Sequence, residues 1–356
     1  MPRPAQAKRR LKLRQLEILS AVAESGTMGK AAQRLAVSQP VVSKAIADLE
    51  QTLGVQLLDR GQRGAEPTLY GRALLRRSLA IFDEINQSVN EIGFLADPTA
   101  GELHIGCTET ITAGLVAAAI ERLSRRHPKL VFHMELADVA TLRQHFLRER
   151  KCELIIGRMV SAAAEPDMET EALFNERPMV VVGPGSKWLE RRKIALAQLV
   201  DEPWILSSSE SLPGAPLFEA YRAIKLSLPR ATIISNSLGL RRKLLPGGGF
   251  VTLVPESVLR FGPEPSFFRP LSVSLPSAPL PVAVVTLKSR TLSAVAQLFI
   301  DCVRELAKPL ANRKKPPAKQ DAMSPVGPTR TSRDVRFSAA VGGIADVPQT
   351  SQKRRS

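Results

Sequence analysis

Ser38, Gln39, Pro40, Ser43 and Lys44 open a segment in which the apolar residues Val42, Ile46, Leu49 and Leu53 recur at helical spacing. A glutamine amide can pair bidentately with adenine, and an ammonium can donate to guanine O6 and N7 or to a phosphate. A serine hydroxyl serves either base or backbone. Gathered at one helix N-terminus, this set suits hydrogen bonding to base edges in a DNA major groove. Pro40 is tolerated in a first turn and stiffens it. On an arbitrary helix the same residues have a plainer reading, with Ser38 as a cap and Lys44 as a solvated charge. Farther on, Arg60, Arg63 and Thr68 lie around a Gly-rich basic stretch and can meet phosphate or minor groove, although such stretches are often basic without specific readout.

A second group follows short apolar runs. Thr108, Glu109 and Thr110 come after LHIGC, Arg158 after CELIIG, Ser207, Ser208 and Ser209 after WIL, and Asn236 with Ser237 after TII. In an open α/β domain, ligands sit at the carboxyl ends of strands, where loops and helix N-termini offer polar groups. Hydroxyls and an amide suit a small polar ligand, and Arg158 offers a fork of donors to a carboxylate. Glu109 disfavours an anion unless a cation such as Arg158 offsets it, so a sugar or a cationic ligand stays open. Thr110 reads almost equally well as the cap of a helix starting near Ile111.

Other chemistry is harder to find. There is no GxSxG elbow, P-loop or HExxH, and His104, His127, His133 and His145 lack metal-ligand spacing along the chain. No catalysis, metal or cofactor is expected. Cys107, Cys152 and Cys302 are odd in number and far apart, which fits a reducing cytoplasm. Cys107 ends a strand-like run, and this raises the alternative of a redox switch, although buried cysteine is usually inert.

Several elements must position these residues. Residues 13–25 carry helical spacing up to Gly26, Thr27 can cap a second helix through Leu35, and Ser38 a third to about Leu53. Two helices so close, the second longer, match a helix-turn-helix, and residues 55–69 read as a two-stranded wing. From Tyr70 to Leu95 the residues Leu74, Ile81, Ile85, Val89 and Ile92 give one apolar seam near heptad spacing, which asks for a partner helix. Residues 97–101 break this helix as a hinge. Beyond it, apolar runs alternate with helical stretches to about Leu306, the pattern of an α/β domain with mainly parallel sheets. Residues 1–12 and 311–356 read as a basic disordered arm and tail.

Charge follows the same division. The chain of 356 residues carries +16, with 14 basic and 6 acidic side chains in residues 1–77 and 10 and 3 in residues 311–356. Such ends suit a polyanion. No export signal and no uninterrupted apolar stretch of membrane length is present, so a free solute-binding protein is a weaker alternative and no membrane partner is expected.

The stretch LRQLEILSAVAESGTMGKAAQRLAVSQPVVSKAIADLEQTLGVQLLDR, with PTLYGRALL and ADPTAGELHIG, resembles the LysR-type transcriptional regulators. CELIIGR and FVTLVP extend the resemblance more loosely into the second half. It implies a winged helix-turn-helix at 13–69, a linker and dimerisation helix at 70–96, the hinge, and a domain at 102–310 like a type 2 periplasmic binding protein with two α/β subdomains around a cleft. It further implies double-stranded promoter DNA, a small-molecule inducer, RNA polymerase and a second copy of the chain as partners, in a homodimer or homotetramer acting as activator or repressor. Thr110 falls where the family often places an effector-binding Ser or Thr. Asp138, Val139 and Ala140 stand where the family usually has Ser or Thr, and Phe250 where it usually has Gly. The wording of EPTLYGRALL and LADPTAGELHIGCTE resembles a branch regulating protocatechuate-type aromatic-acid catabolism or sugar-uptake genes.

Overall fold

The computed structural model describes residues 10–61, 64–159, 165–208, 215–262, 267–276 and 280–311. Helix α1 (Leu13–Ser25) ends at Gly26, whose φ of 72° is left-handed. Helix α2 (Met28–Arg34) starts from Thr27, whose hydroxyl accepts from the Lys30 amide at 3.2 Å. Helix α3 (Gln39–Leu53) follows after a short turn and stops at Gly54. Ile18, Leu19, Val22, Ala31, Ala32, Val42, Ile46 and Leu49 meet in one core, closed from below by Leu57 and Leu58.

Strands β1 (Leu58–Gly61) and β2 (Gly64–Pro67) pair antiparallel as the wing. Gly64 has φ +119°, and a Cβ there would lie 2.3 Å from the Gly26 carbonyl oxygen. That carbonyl accepts from the Ala65 amide at 2.8 Å, so the wing is fastened to the turn after α1.

Helix α4 (Leu69–Ala96) is 28 residues long. Its second turn stays with the N-terminal core through Leu74 and Leu75. Farther along, Ile85, Val89, Ile92 and Leu95 are exposed. After a turn at Asp97–Thr99 the chain enters β3 (Ala100–Cys107). Asp97 ties this turn together. Its carboxylate accepts from the Thr99 amide at 3.0 Å and pairs with Lys129 at 2.7 Å, and these hydrogen bonds, the Lys129 one foremost, hold its pKa down at about 2.

A helical run then leads to α5 (Ala117–Arg126) and β4 (Lys129–Leu136). Next come β5 (Leu154–Arg158), β6 (Met168–Glu176) and β7 (Pro178–Val182). They are followed by β8 (Trp204–Leu206), α6 (Pro216–Ala223), β9 (Ala231–Ile234), α7 (Leu238–Leu244), β10 (Val251–Pro255) and α8 (Glu256–Phe261). The described part closes with β11 (Arg269–Pro270), β12 (Leu280–Leu287) and α9 (Ala294–Ala311). One sheet runs β4-β3-β5-β12-β6 and the other β11-β7-β10-β8-β9. Each has its own core, the first built on Leu103, Ile105, Ile156, Val284 and Phe299, the second on Val182, Trp204, Leu206, Tyr221 and Leu253.

The expectation of mainly parallel sheets needs correction. β3 is parallel to β4 and β5, and β8 to β9 and β10, but β12 is antiparallel to β5 and β6, and β7 to β10 and β11. The returning strand β12 and the crossing strand β6 mix the two, and a strand buried on both faces reads alike in either direction.

Where α4 crosses the first sheet, its Asp83 accepts from Arg150 Nη1 at 2.6 Å and from Arg290 Nη2 at 2.5 Å. All three side chains are at most 10% exposed, so this is a desolvated clamp rather than a surface pair.

Candidate nucleic-acid interface and effector cleft

Ser38 sits at the N-cap position of α3, yet its hydroxyl makes no cap bond. The expectation that it caps through its side chain is therefore corrected: the first turn is closed by its carbonyl, which accepts from Val41 and Val42. Ser38, Gln39, Pro40 and Lys44 are exposed and Ser43 half-buried, because Val42, Ile46 and Leu49 turn the opposite face inward. Val41, half exposed between them, went unremarked in the sequence. An apolar side chain at that place fits against a thymine methyl.

Glu50 joins this helix to the wing. Its Oε1 accepts from the Leu57 and Leu58 amides at 2.8 and 3.2 Å, while Oε2 lies 3.5 Å from Arg60. Arg60 stays on the exposed side of β1. Arg63 lies outside the described residues. Thr68 has its hydroxyl engaged within the protein, accepting from the Gly71 amide at 3.1 Å and donating to the Gln56 carbonyl at 2.8 Å. It caps α4, a role that the sequence reading missed.

The second group of residues comes together at the carboxyl ends of β3, β5, β8 and β9. Thr110 is buried, and Thr108 Oγ1 is buried with no hydrogen-bond partner. Thr110 does not cap, since the short helix begins at Glu109 with Thr108 before it. Glu109 Oε1 accepts from the Leu238 amide at 2.7 Å, which ties the loop after β3 to the start of α7. Ser207 is buried, and the Ser208 amide donates to Asn236 Oδ1 at 3.3 Å. Ser237 caps α7, accepting from the Leu240 amide at 3.2 Å. Ser209 lies outside the described residues. Half-buried Arg158 ends β5, and its charge acts on Glu176. Glu176 is buried against Ser257, whose hydroxyl donates to it at 2.5 Å, and burial pushes its pKa up against that bond. Arg241, 1% exposed, donates to the Leu253 and Ser235 carbonyls at 3.1 and 3.2 Å. Nothing in local spacing signalled Glu176 or Arg241, because Ser257 lies 81 residues from Glu176 and Arg241 bonds backbone carbonyls, which carry no side-chain signature.

Three comparisons with known proteins bear on this arrangement. Residues 13–72 match the model of the bacterial regulatory helix-turn-helix protein, lysR family, and residues 96–308 that of the LysR substrate binding domain. The chain belongs to the LysR family. Among its relatives, the HTH-type transcriptional regulator GbpR of Azospirillum brasilense is 30% identical over 306 residues, covering 83% of this chain and 87% of that one. The regulator TfdS of Cupriavidus pinatubonensis is 31% identical over 300 residues, covering 83% and 98%. A full-length OxyR variant from Pseudomonas aeruginosa superposes with a TM-score of 0.60 at 23% identity, over 86% of this chain and 99% of that one, and so shares its fold. This LysR regulator is accordingly a DNA-binding transcription factor with a helix-turn-helix domain and an effector-binding domain, and among its described residues no helix is long and apolar enough to cross a membrane.

Two further features of the LysR effector domain bear on the rival chemistries. Cys107 is fully buried, its pKa pushed up to about 11 by burial against the smaller opposing effect of the Thr112 hydrogen bond. A thiol in that state carries almost no thiolate at neutral pH. His104 and His133, 29 positions apart in sequence, face each other on β3 and β4 as register partners, with Glu102 two residues before His104. Their donor atoms come within 4.8 Å of one another. Chain spacing could not reveal a pair created by strand pairing.

Proposed function

We propose that this LysR regulator binds promoter DNA in the cytoplasm as a homodimer or homotetramer and sets transcription in response to a small catabolic molecule. No catalytic step is assigned to it. Gln39 and Lys44 would read bases, with Ser38, Pro40 and Ser43 fixing the helix start and Arg60 and Arg63 meeting the backbone. Thr68 would support them through the wing and α4. RNA polymerase would be met at the same promoter, the response being activation or repression.

The observation that carries the oligomer is the run Ile81, Ile85, Val89 and Ile92 on α4, each 38% or more exposed. Leu74 leaves the expected seam, since it packs inside the N-terminal core. A stripe this long and apolar gains by meeting its own copy. Two reading heads then address two half-sites. The tested form is Ile85→Glu with Val89→Glu, which should convert the protein to monomers in sedimentation and abolish a two-half-site footprint. A double variant that remains a dimer would place the pairing elsewhere.

The inducer would lie among Thr108, Glu109, Thr110, Arg158, Ser207, Ser208, Asn236 and Ser237. An aromatic acid is favoured over a sugar here, because Arg158 at the end of β5 can lend a fork of donors to a carboxylate while Glu109 is engaged with the Leu238 amide. Binding would change the closure of the two subdomains and, through the hinge at 97–101, the angle between reading heads. Calorimetric titration of aromatic acids and sugars should find an acid whose affinity falls about tenfold or more with Arg158→Ala. A ligand that binds without altering footprint or bend would remove the signalling role.

A further inference from the structure

Glu102, His104 and His133 occupy one face of the parallel pair β3 and β4. Leu103, Ile105 and Cys107 point into the core, so alternation sends Glu102 and His104 to the opposite face. The register sets His133 directly beside His104, and the two imidazoles stack with centroids 4.1 Å apart and planes 7° from parallel. Glu102 Oε2 lies 3.4 Å from His133 Nε2. That nitrogen is buried and has no hydrogen-bond partner.

We propose that Glu102, His104 and His133 form a binding site for a first-row divalent transition metal, with Zn²⁺ as the best match. Two imidazole nitrogens and one carboxylate oxygen are the donors this class of ion prefers, whereas Mg²⁺ and Ca²⁺ favour oxygen alone. Zinc bonds of about 2.0–2.1 Å call for donors roughly 3.4 Å apart. To bind one ion the separations, now within 4.8 Å, must shorten and the near-parallel rings must tilt out of their stack so that both lone pairs aim at one point, a rotation about the broad outer torsion of each imidazole. Water completes the fourth position. Glu135 and Glu153 stand near enough to His104 to act on it electrostatically, and both favour a cation. Arg150, Arg290 and Lys151 border the adjoining cavity of about 220 Å³, the two arginines being turned to Asp83 and the lysine paired with Glu149.

The location gives such an ion leverage. Glu102 and His104 line the same cavity as Asp83, Asn86 and Asn90 of α4, and Glu102 follows the hinge by one residue. An ion there would fasten the first two strands of the effector domain beside the helix that carries the reading head. This inference does not depend on the identity of the inducer or on the DNA reading.

Full-length protein, stripped by dialysis against a chelator, is titrated with Zn²⁺ by calorimetry and with Co²⁺ by visible absorption. One site per chain is expected, with the intense cobalt bands of a four-coordinate ion. His104→Ala and His133→Ala should each weaken it at least about tenfold, the loss that even outer-shell partners cause. His127→Ala with His145→Ala should leave it unchanged, and circular dichroism of all variants guards against unfolding. No binding below millimolar Zn²⁺, or unaltered affinity in a folded His104→Ala/His133→Ala double variant, would overturn the proposal.

Discussion

Gln39 and Lys44 are exposed because the residues between and after them, Val42 and Ile46, are not. Replacing either of the two by alanine should weaken binding to the cognate site by about 1–3 kcal/mol for a lost base contact, with little change in fold stability. A gel-shift series against single-base operator variants checks it, since a base contact loses discrimination at one position whereas a phosphate contact weakens all sites alike. Cys107 gives a second expectation at this scale. With its thiol held at about 11 by burial, it should resist alkylation at neutral pH until the protein unfolds, and peroxide should leave DNA binding intact. Rapid native labelling of Cys107 would revive the redox alternative. The exposed residues at the start of α3 were legible in the sequence because their positions follow from one amphipathic helix. The capping role of Thr68 was not legible, because its partner Gln56 lies 12 residues away and a hydroxyl's bond cannot be read from its type.

At the scale of elements, α4 is held to the effector domain by Asp83 between Arg150 and Arg290. Breaking a buried pair leaves uncompensated charge, so Asp83→Ala should lower stability by about 3–5 kcal/mol and speed hydrogen exchange along α4. Unchanged urea unfolding would contradict the clamp. The hinge behaves differently in acid. Asp97 is half-buried and its pKa is depressed from 3.8 to about 2, so its contribution is complete above pH 3.8 and fades as pH falls towards 2. Lys129→Ala should move the Asp97 titration upward, as followed by carboxyl carbon NMR. Helix boundaries, the wing and most strands follow from periodicity and caps, but β6 (METEALFNE) escaped notice. Its residues fall in blocks, Glu169–Glu171 polar and Ala172–Phe174 apolar, so this edge strand shows neither period-two alternation nor a long apolar run. Pairings such as His104 with His133 or Asp83 with Arg290 are set by register and docking, which a linear pattern does not carry.

For the whole molecule, charge and symmetry matter together. Residues 312–356 carry 10 basic and 3 acidic side chains, and deleting them should flatten the salt dependence of binding to random DNA, an unchanged slope showing that the tail makes no phosphate contacts. The two-domain plan and the family were legible from the N-terminal sixty residues and the strand order, whereas the inducer was not, because a cleft lined by hydroxyls and amides suits many polar ligands. The most direct measurement is the affinity of the purified protein for its own promoter and for a scrambled duplex of equal length at physiological salt. The account predicts tighter binding to the promoter by about 10³-fold or more, narrowed sharply when Gln39 and Lys44 are both alanine. Equal affinity for the two duplexes, or a double variant indistinguishable from the parent, would contradict it.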